Sequence, residues 1–224
     1  FSKVIDGEMA FNNPANDTLL RTLVQQRADH PGLRVMIACG GWGADGFSDM
    51  ASTPENREQF IQSTIDFIQR YDLDGVDIDW EYPAIPAAGT GARPEDKENF
   101  TALMKGLREA LDDLDRSQTL TFASAGWERY YGNVESLEVM KYADYMNIMT
   151  YDQVSGNSPF TGHHTALGYI DESDLEGLPI LDTIHKMRPE MEANGVTWAP
   201  RSAERIVNIV KEFGIDPGKL IIGG

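Results

Sequence analysis

Cysteine is almost absent: one residue, Cys39, in 224. A single thiol excludes an intrachain disulfide framework and a multi-cysteine zinc site. Long apolar runs are missing too; none approaches the roughly 18 residues that a bilayer-spanning helix needs. Basic residues are scarce, 19 Lys and Arg against 36 Asp and Glu, giving a formal net charge of −17. Such a chain repels nucleic-acid phosphates and anionic membrane surfaces, so neither is an expected partner. No Gly-x-Gly-x-x-Gly turn follows an apolar run and no Walker loop occurs, which argues against a nucleotide cofactor. The chain opens at Phe1 with neither Met nor a leader, as a mature or truncated product would.

What is present suffices for one core. The chain is 41% apolar and 9% aromatic, too rich in large apolar side chains for disorder. At this length a single domain over residues 1–224 is expected. Buried strands are predicted to start near positions 34, 75, 119, 145 and 219. Helical spacing is predicted between most of them. Ser52 to Glu55 has capping-box spacing, with Pro54 in the first turn and Phe60, Thr64, Phe67, Ile68 and Tyr71 on one face. Residues 95–114 place Phe100, Leu103, Met104, Leu107 and Leu111 on one face, and residues 202–213 do the same with Ile206, Val207, Ile209 and Val210. A short helix is expected over 135–141. The stretch 152–200 reads as a long loop with an extra helix near 181–192. Strand–helix–strand alternation implies parallel strands with right-handed crossovers, in either a (β/α)8 barrel or an open doubly wound sheet.

The chemistry lies in Asp74-Gly-Val-Asp77-Ile-Asp79-Trp-Glu81-Tyr-Pro. On a strand, Asp77, Asp79 and Glu81 point one way and Val76, Ile78 and Trp80 the other, toward helices. Carboxylates about 7 Å apart along one face do not all ionise cheaply, so at least one proton is held there. A carboxylic acid protonated near neutral pH is a general acid. A solvated edge strand, a calcium loop and a Mg²⁺ or Mn²⁺ cluster are the competing readings. The calcium loop fits poorly, with its glycine at the fourth position and its final Glu too early. Asp74 has the opposite parity and reads as a turn or capping residue. His163-His164 reads as loop packing or ligand contact, and His30 and His185 as surface residues.

This segment resembles the D-x-x-D-x-D-x-E signature of glycoside hydrolase family 18, the chitinases. Ala38-Cys39-Gly40-Gly41-Trp42 is similar to that family's S-x-G-G-W strand, and Met149-Thr150-Tyr151-Asp152 to its M-x-Y-D strand. Residues 217–223 are similar to a later strand, so the resemblance spans essentially the whole chain. It implies a (β/α)8 barrel and hydrolysis of β-1,4 links in chitin and N-acetylglucosamine oligosaccharides, without metal or cofactor. The implied mechanism is retaining and substrate-assisted. Glu81 corresponds to the acid that protonates the glycosidic oxygen. Asp79 corresponds to the residue that orients the acetamido group, Asp77 to its proton-sharing neighbour, and Tyr151 to the donor to the acetamido carbonyl. Met149, Asp152, Gly40 and Gly41 would line the subsite, with Trp42 and Tyr82 against sugar rings. The resemblance also implies a secreted protein, and a monomer is expected. An endo-β-N-acetylglucosaminidase acting on N-glycans and a non-catalytic lectin are the alternatives.

Two departures carry expectations. Ala38 stands where the family has serine, so hydrogen bonding around Asp77 should weaken unless another donor substitutes. Residues 1–7 look like the tail of the second barrel strand and the chain ends at the seventh. The expectation is therefore a truncated catalytic domain with about six of eight strands.

Overall fold

The computed structural model describes residues 1–154, 161–193 and 201–224. Its element order is β1 (Lys3–Ile5), β2 (Glu8–Ala10), α1 (Ala15–Gln25), β3 (Ile37–Gly40), α2 (Phe47–Ala51), α3 (Pro54–Tyr71), β4 (Gly75–Asp79), α4 (Asp96–Asp112), β5 (Thr119–Ala125), α5 (Glu128–Gly132), α6 (Ser136–Val139), β6 (Tyr145–Met149), α7 (Pro179–Ala193), α8 (Ala203–Glu212) and β7 (Leu220–Ile222). Five strands form a parallel sheet in the order β3-β4-β5-β6-β7. Each strand pairs with the next in sequence, with no reversal of order. That winding is a barrel's; a doubly wound sheet reverses at a switch point. The architecture is α/β, an incomplete (β/α)8 barrel.

The count of six strands needs correction. Ser2 makes a parallel bridge to Cys39, its N–H donating to the Ala38 carbonyl at 2.8 Å while Gly40 N–H donates to the Ser2 carbonyl at 3.0 Å. The chain then leaves the sheet, and β1 folds back on β2 as an antiparallel hairpin. The cap of α3 also differs: Thr53, not Ser52, accepts from Asn56 N–H at 3.2 Å. Pro54 decides this. Its ring fits the first helical position, which leaves Thr53 as the cap.

The strands obey their alternation. Val76 and Ile78 of β4 are fully buried against the helices, and Trp80 beyond them stacks on Phe47 at 5.4 Å and meets Phe100 edge-on. The five apolar side chains predicted for α4 are all buried, as are those predicted for α3. Each large side chain removed from water contributes about 2 kcal/mol before conformational entropy is subtracted. The opposite face of the sheet carries Ala38, Asp77, Asp79, Thr121, Asn147 and Met149. The extra helix in the long loop is α7; residues 155–160 and 194–200 of that loop lie outside the described residues.

Candidate active site

The acidic row sits at the C-terminal end of β4. Parallel pairing sets Asp77 opposite both Ala38 of β3 and Thr121 of β5, and Asp79 opposite Gly40. Thr121 Oγ1 donates to Asp77 Oδ1 at 2.5 Å and Asn147 Nδ2 donates to the same oxygen at 2.8 Å. Asp77 thus has two donors beside Ala38, which offers none. Burial raises the Asp77 carboxyl above the ordinary range, and the two bonds oppose it.

Asp79 is buried, and its Oδ1 has no hydrogen-bond partner among the described residues. Burial first, then the charges of Glu81 and Asp77, push its carboxyl up to about 7, against the opposing pull of Lys3. Glu81 is 8% exposed. Burial raises its carboxyl, the neighbouring Tyr82 side chain lowers it, the charge of Asp152 raises it, and Lys3 lowers it again. The site therefore holds a proton near neutral pH, shared within a row of three carboxyls.

The loop after β3 bends against this row. Gly40 has φ +123°, and a Cβ there would lie 1.9 Å from the Asp79 carbonyl oxygen. No other residue fits this approach. Gly41, with φ +95°, donates its N–H to the same carbonyl at 2.9 Å, and a Cβ on it would stand 3.7 Å from Asp79 Oδ2. Trp42 follows with its ring two-thirds exposed, an open aromatic face at the strand end.

Across the row, β6 delivers Met149, half-buried, and then Tyr151, whose ring lies against Gly223. Burial and the charges of Asp79 and Glu81 raise the Tyr151 hydroxyl. Asp152 adopts φ +53° and its charge acts on Glu81. Its backbone N–H donates to His164 Nε2 at 3.4 Å, and that imidazole also meets the Val154 carbonyl. Tyr82 is placed differently from an open sugar platform. Its ring is buried edge-on against Trp127 at 5.1 Å and Tyr130 at 5.8 Å, and its hydroxyl reaches Glu81.

The structure thus brings together Asp77, Asp79, Glu81, Tyr151, Asp152, Met149, Gly40 and Gly41. Sequence reasoning missed Thr121, Asn147 and Lys3, while His164 makes the loop contacts expected of it. The strand alternation of 119–125 and 145–149 was signal enough for the first two, since both fall on the inner face of the sheet with the acids. Cys39 is buried and its thiol is pushed up to about 12, which leaves it unreactive. Among the described residues, no group of three His, Cys, Asp or Glu side chains is placed to hold a metal ion.

The profile of the family described as glycosyl hydrolases family 18 matches residues 1–216. Chitinase A1 of Niallia circulans is 36% identical over 172 residues, which cover 74% of this chain and 25% of that protein. Chitotriosidase-1 of Mus musculus is 36% identical over 163 residues, 68% of this chain and 34% of that protein. Among solved structures, a family 18 N-acetylglucosaminidase from Paenibacillus barengoltzii superposes with TM-score 0.82 at 33% identity, covering 100% of this chain and 59% of that one. An Ostrinia furnacalis Group IV chitinase in complex with allosamidin superposes with TM-score 0.79 at 28% identity, covering 97% of this chain and 54% of that one. The chain spans a quarter to a third of the length of these curated relatives.

Proposed function

The chain belongs to glycosyl hydrolase family 18, and from that premise we propose that it acts as a chitinase. The substrates are chitin and its oligosaccharides, cut at β-1,4 links with retention of configuration. Chitin is an insoluble polymer, so the proposed enzyme works outside the cell, as a secreted monomer. The observation that carries the reading is the buried, unpartnered Oδ1 of Asp79 beside the protonatable Glu81. An acceptor so placed matches an acetamido N–H, which ordinary hexose polymers lack.

The reaction runs in two steps. Glu81 gives its proton to the glycosidic oxygen as the C1–O bond breaks. The acetamido carbonyl oxygen of the same sugar closes on C1, forming an oxazolinium ion. Asp79 accepts the acetamido N–H and offsets the positive charge, which requires its own proton to pass to Asp77. Both donors to Asp77 land on Oδ1, which leaves its other oxygen for that proton. Tyr151 donates to the acetamido oxygen and aligns it. Water then attacks C1 on the face the aglycon left, giving its proton to Glu81 and reopening the ring. An acid with its nucleophile on the substrate needs no second carboxylate at about 5 Å.

A proton NMR time course on chitotetraose tests this, using the gene product that carries this chain and its Glu81→Gln variant. Early β-anomer that disappears in the variant is the expected result. Binding without turnover in both would favour the lectin reading, and early α-anomer would overturn retention.

A further inference from the structure

A cation is anchored on the strand next to this acidic row. Ser2 bridges to β3, so the next residue, Lys3, emerges beside the end of that strand. Its Nζ donates to the Gly40 carbonyl at 2.6 Å. Gly40 is the register partner of Asp79, and Gly41 N–H holds the Asp79 carbonyl. The ammonium is therefore anchored on the residue paired with the central acid of the row. An ammonium has three donors, and this bond uses one. The side chain is half-buried, so its charge is screened less than a surface lysine's.

We propose that Lys3 is a positioning residue for the acid row: its ammonium, fixed on the Gly40 carbonyl, sets the pH range over which Asp79 and Glu81 exchange protons. This rests on the hydrolytic reading above and extends it to a residue outside the reacting set. The titratable groups that act on these two acids are Asp77 from β4, Tyr82 beyond it, Cys39 from β3, Tyr130 from α5, Tyr151 and Asp152 after β6, and Lys3 from β1. The carboxyls and burial all favour the protonated forms. Lys3 is the cation that opposes them for both acids, and its charge also reaches Cys39. In a chain of net charge −17, neutralising it leaves the row with stronger mutual repulsion.

The test labels Asp and Glu carboxyls with ¹³C and titrates wild type, Lys3→Met and Lys3→Arg by NMR, alongside pH–rate profiles on chitotetraose. In Lys3→Met the Asp79 and Glu81 midpoints should rise by roughly half to one pH unit, because losing a nearby cation disfavours the ionised forms. The alkaline limb of kcat/KM should move upward with them. Lys3→Arg should keep the wild-type midpoints. A merely structural tether for Gly40 would lower thermal stability and leave both midpoints in place, and that result overturns the proposal. Lys3→Gln repeats the measurement should the Met variant fail to fold. Midpoints that move while wild type itself cleaves nothing would uphold the charge coupling and sink the hydrolytic reading instead.

Discussion

The two ends of β4 carry aspartates of nearly equal burial, Asp74 at 7% exposure and Asp79 at 8%. Their surroundings are opposite. Asp74 Oδ2 accepts from Val35 N–H at 2.6 Å and from the Arg27 guanidinium, with Arg116 3.6 Å from its other oxygen. Arg27 and Arg116 also bind Asp72, at 2.9 and 3.0 Å, so the entry to the strand is a closed ionic network. Among the described residues Asp79 has no arginine and one unpartnered oxygen; the charges acting on it are those of Glu81 and Asp77, opposed by Lys3. Burial alone therefore does not mark a functional acid. A buried carboxylate that is fully paired ties the chain together, and one left beside like charges holds a proton for use.

The largest effect should come from the unpaired end. Glu81→Gln removes the transferable proton while keeping the shape of the side chain. Activity on chitotetraose should fall by about 10³-fold or more, with the urea midpoint unchanged or slightly raised. The paired end should respond in the opposite sense. Asp74→Asn leaves two guanidiniums with the exposed Asp72 as their remaining carboxylate and weakens the bond to Val35. It should cost about 2–3 kcal/mol of stability by urea denaturation, since Arg116 is half exposed and Arg27 is not. The residual folded fraction should keep its pH–rate profile. If Asp74→Asn shifts that profile, or Glu81→Gln destabilises like Asp74→Asn, the contrast between the two ends fails.

A pH titration of stability sharpens the same contrast. The Asp79 carboxyl is raised to about 7 in the folded chain, against about 4 in the unfolded one. Between these values the folded state holds a proton that the unfolded state has released, so stability falls as pH rises through this window. The loss amounts to about 4 kcal/mol at most if Asp79 acts alone, with Glu81 adding in the same direction. Asp79→Asn should flatten the fall of the urea midpoint between pH 4 and 7. Parallel slopes in wild type and variant would place the proton elsewhere.

The alternation Val76-Asp77-Ile78-Asp79-Trp80-Glu81 was enough to separate core from site, because a strand's two-residue period needs no tertiary information. It also separated Asp74 by parity. The long helices were legible from their apolar faces. The short or one-sided ones were not: α2 has five residues, and α1 buries Leu20 alone. What escaped depends on register and on distant chain. Thr121 reaches Asp77 because it is its register partner on β5, and Asn147 reaches it from β6 although it stands two residues beyond that level, opposite Ala123. Lys3 reaches Gly40 only because a one-residue bridge precedes a hairpin. Tyr82 reads locally as a residue beyond a strand end, and Trp127 and Tyr130 from around α5 turn its ring inward.

The smallest predicted effect concerns Ala38, the register partner of Asp77. A serine there would offer a third donor to a carboxyl that already accepts from Thr121 and Asn147. Hydrogen bonds to the charged form favour it, so Ala38→Ser should lower the Asp77 midpoint and make the proton passed from Asp79 harder to receive. Because Oδ1 already carries two donors, the shift should be a few tenths of a pH unit in the pH–rate profile rather than a whole one. Thr121→Val tests the same balance from the other side: removing a bonded donor should raise the Asp77 midpoint and cost about 1 kcal/mol. If Ala38→Ser and Thr121→Val moved the midpoint in the same direction, the donors around Asp77 would not be interchangeable. The alanine would then have been compensated by something other than Thr121 and Asn147.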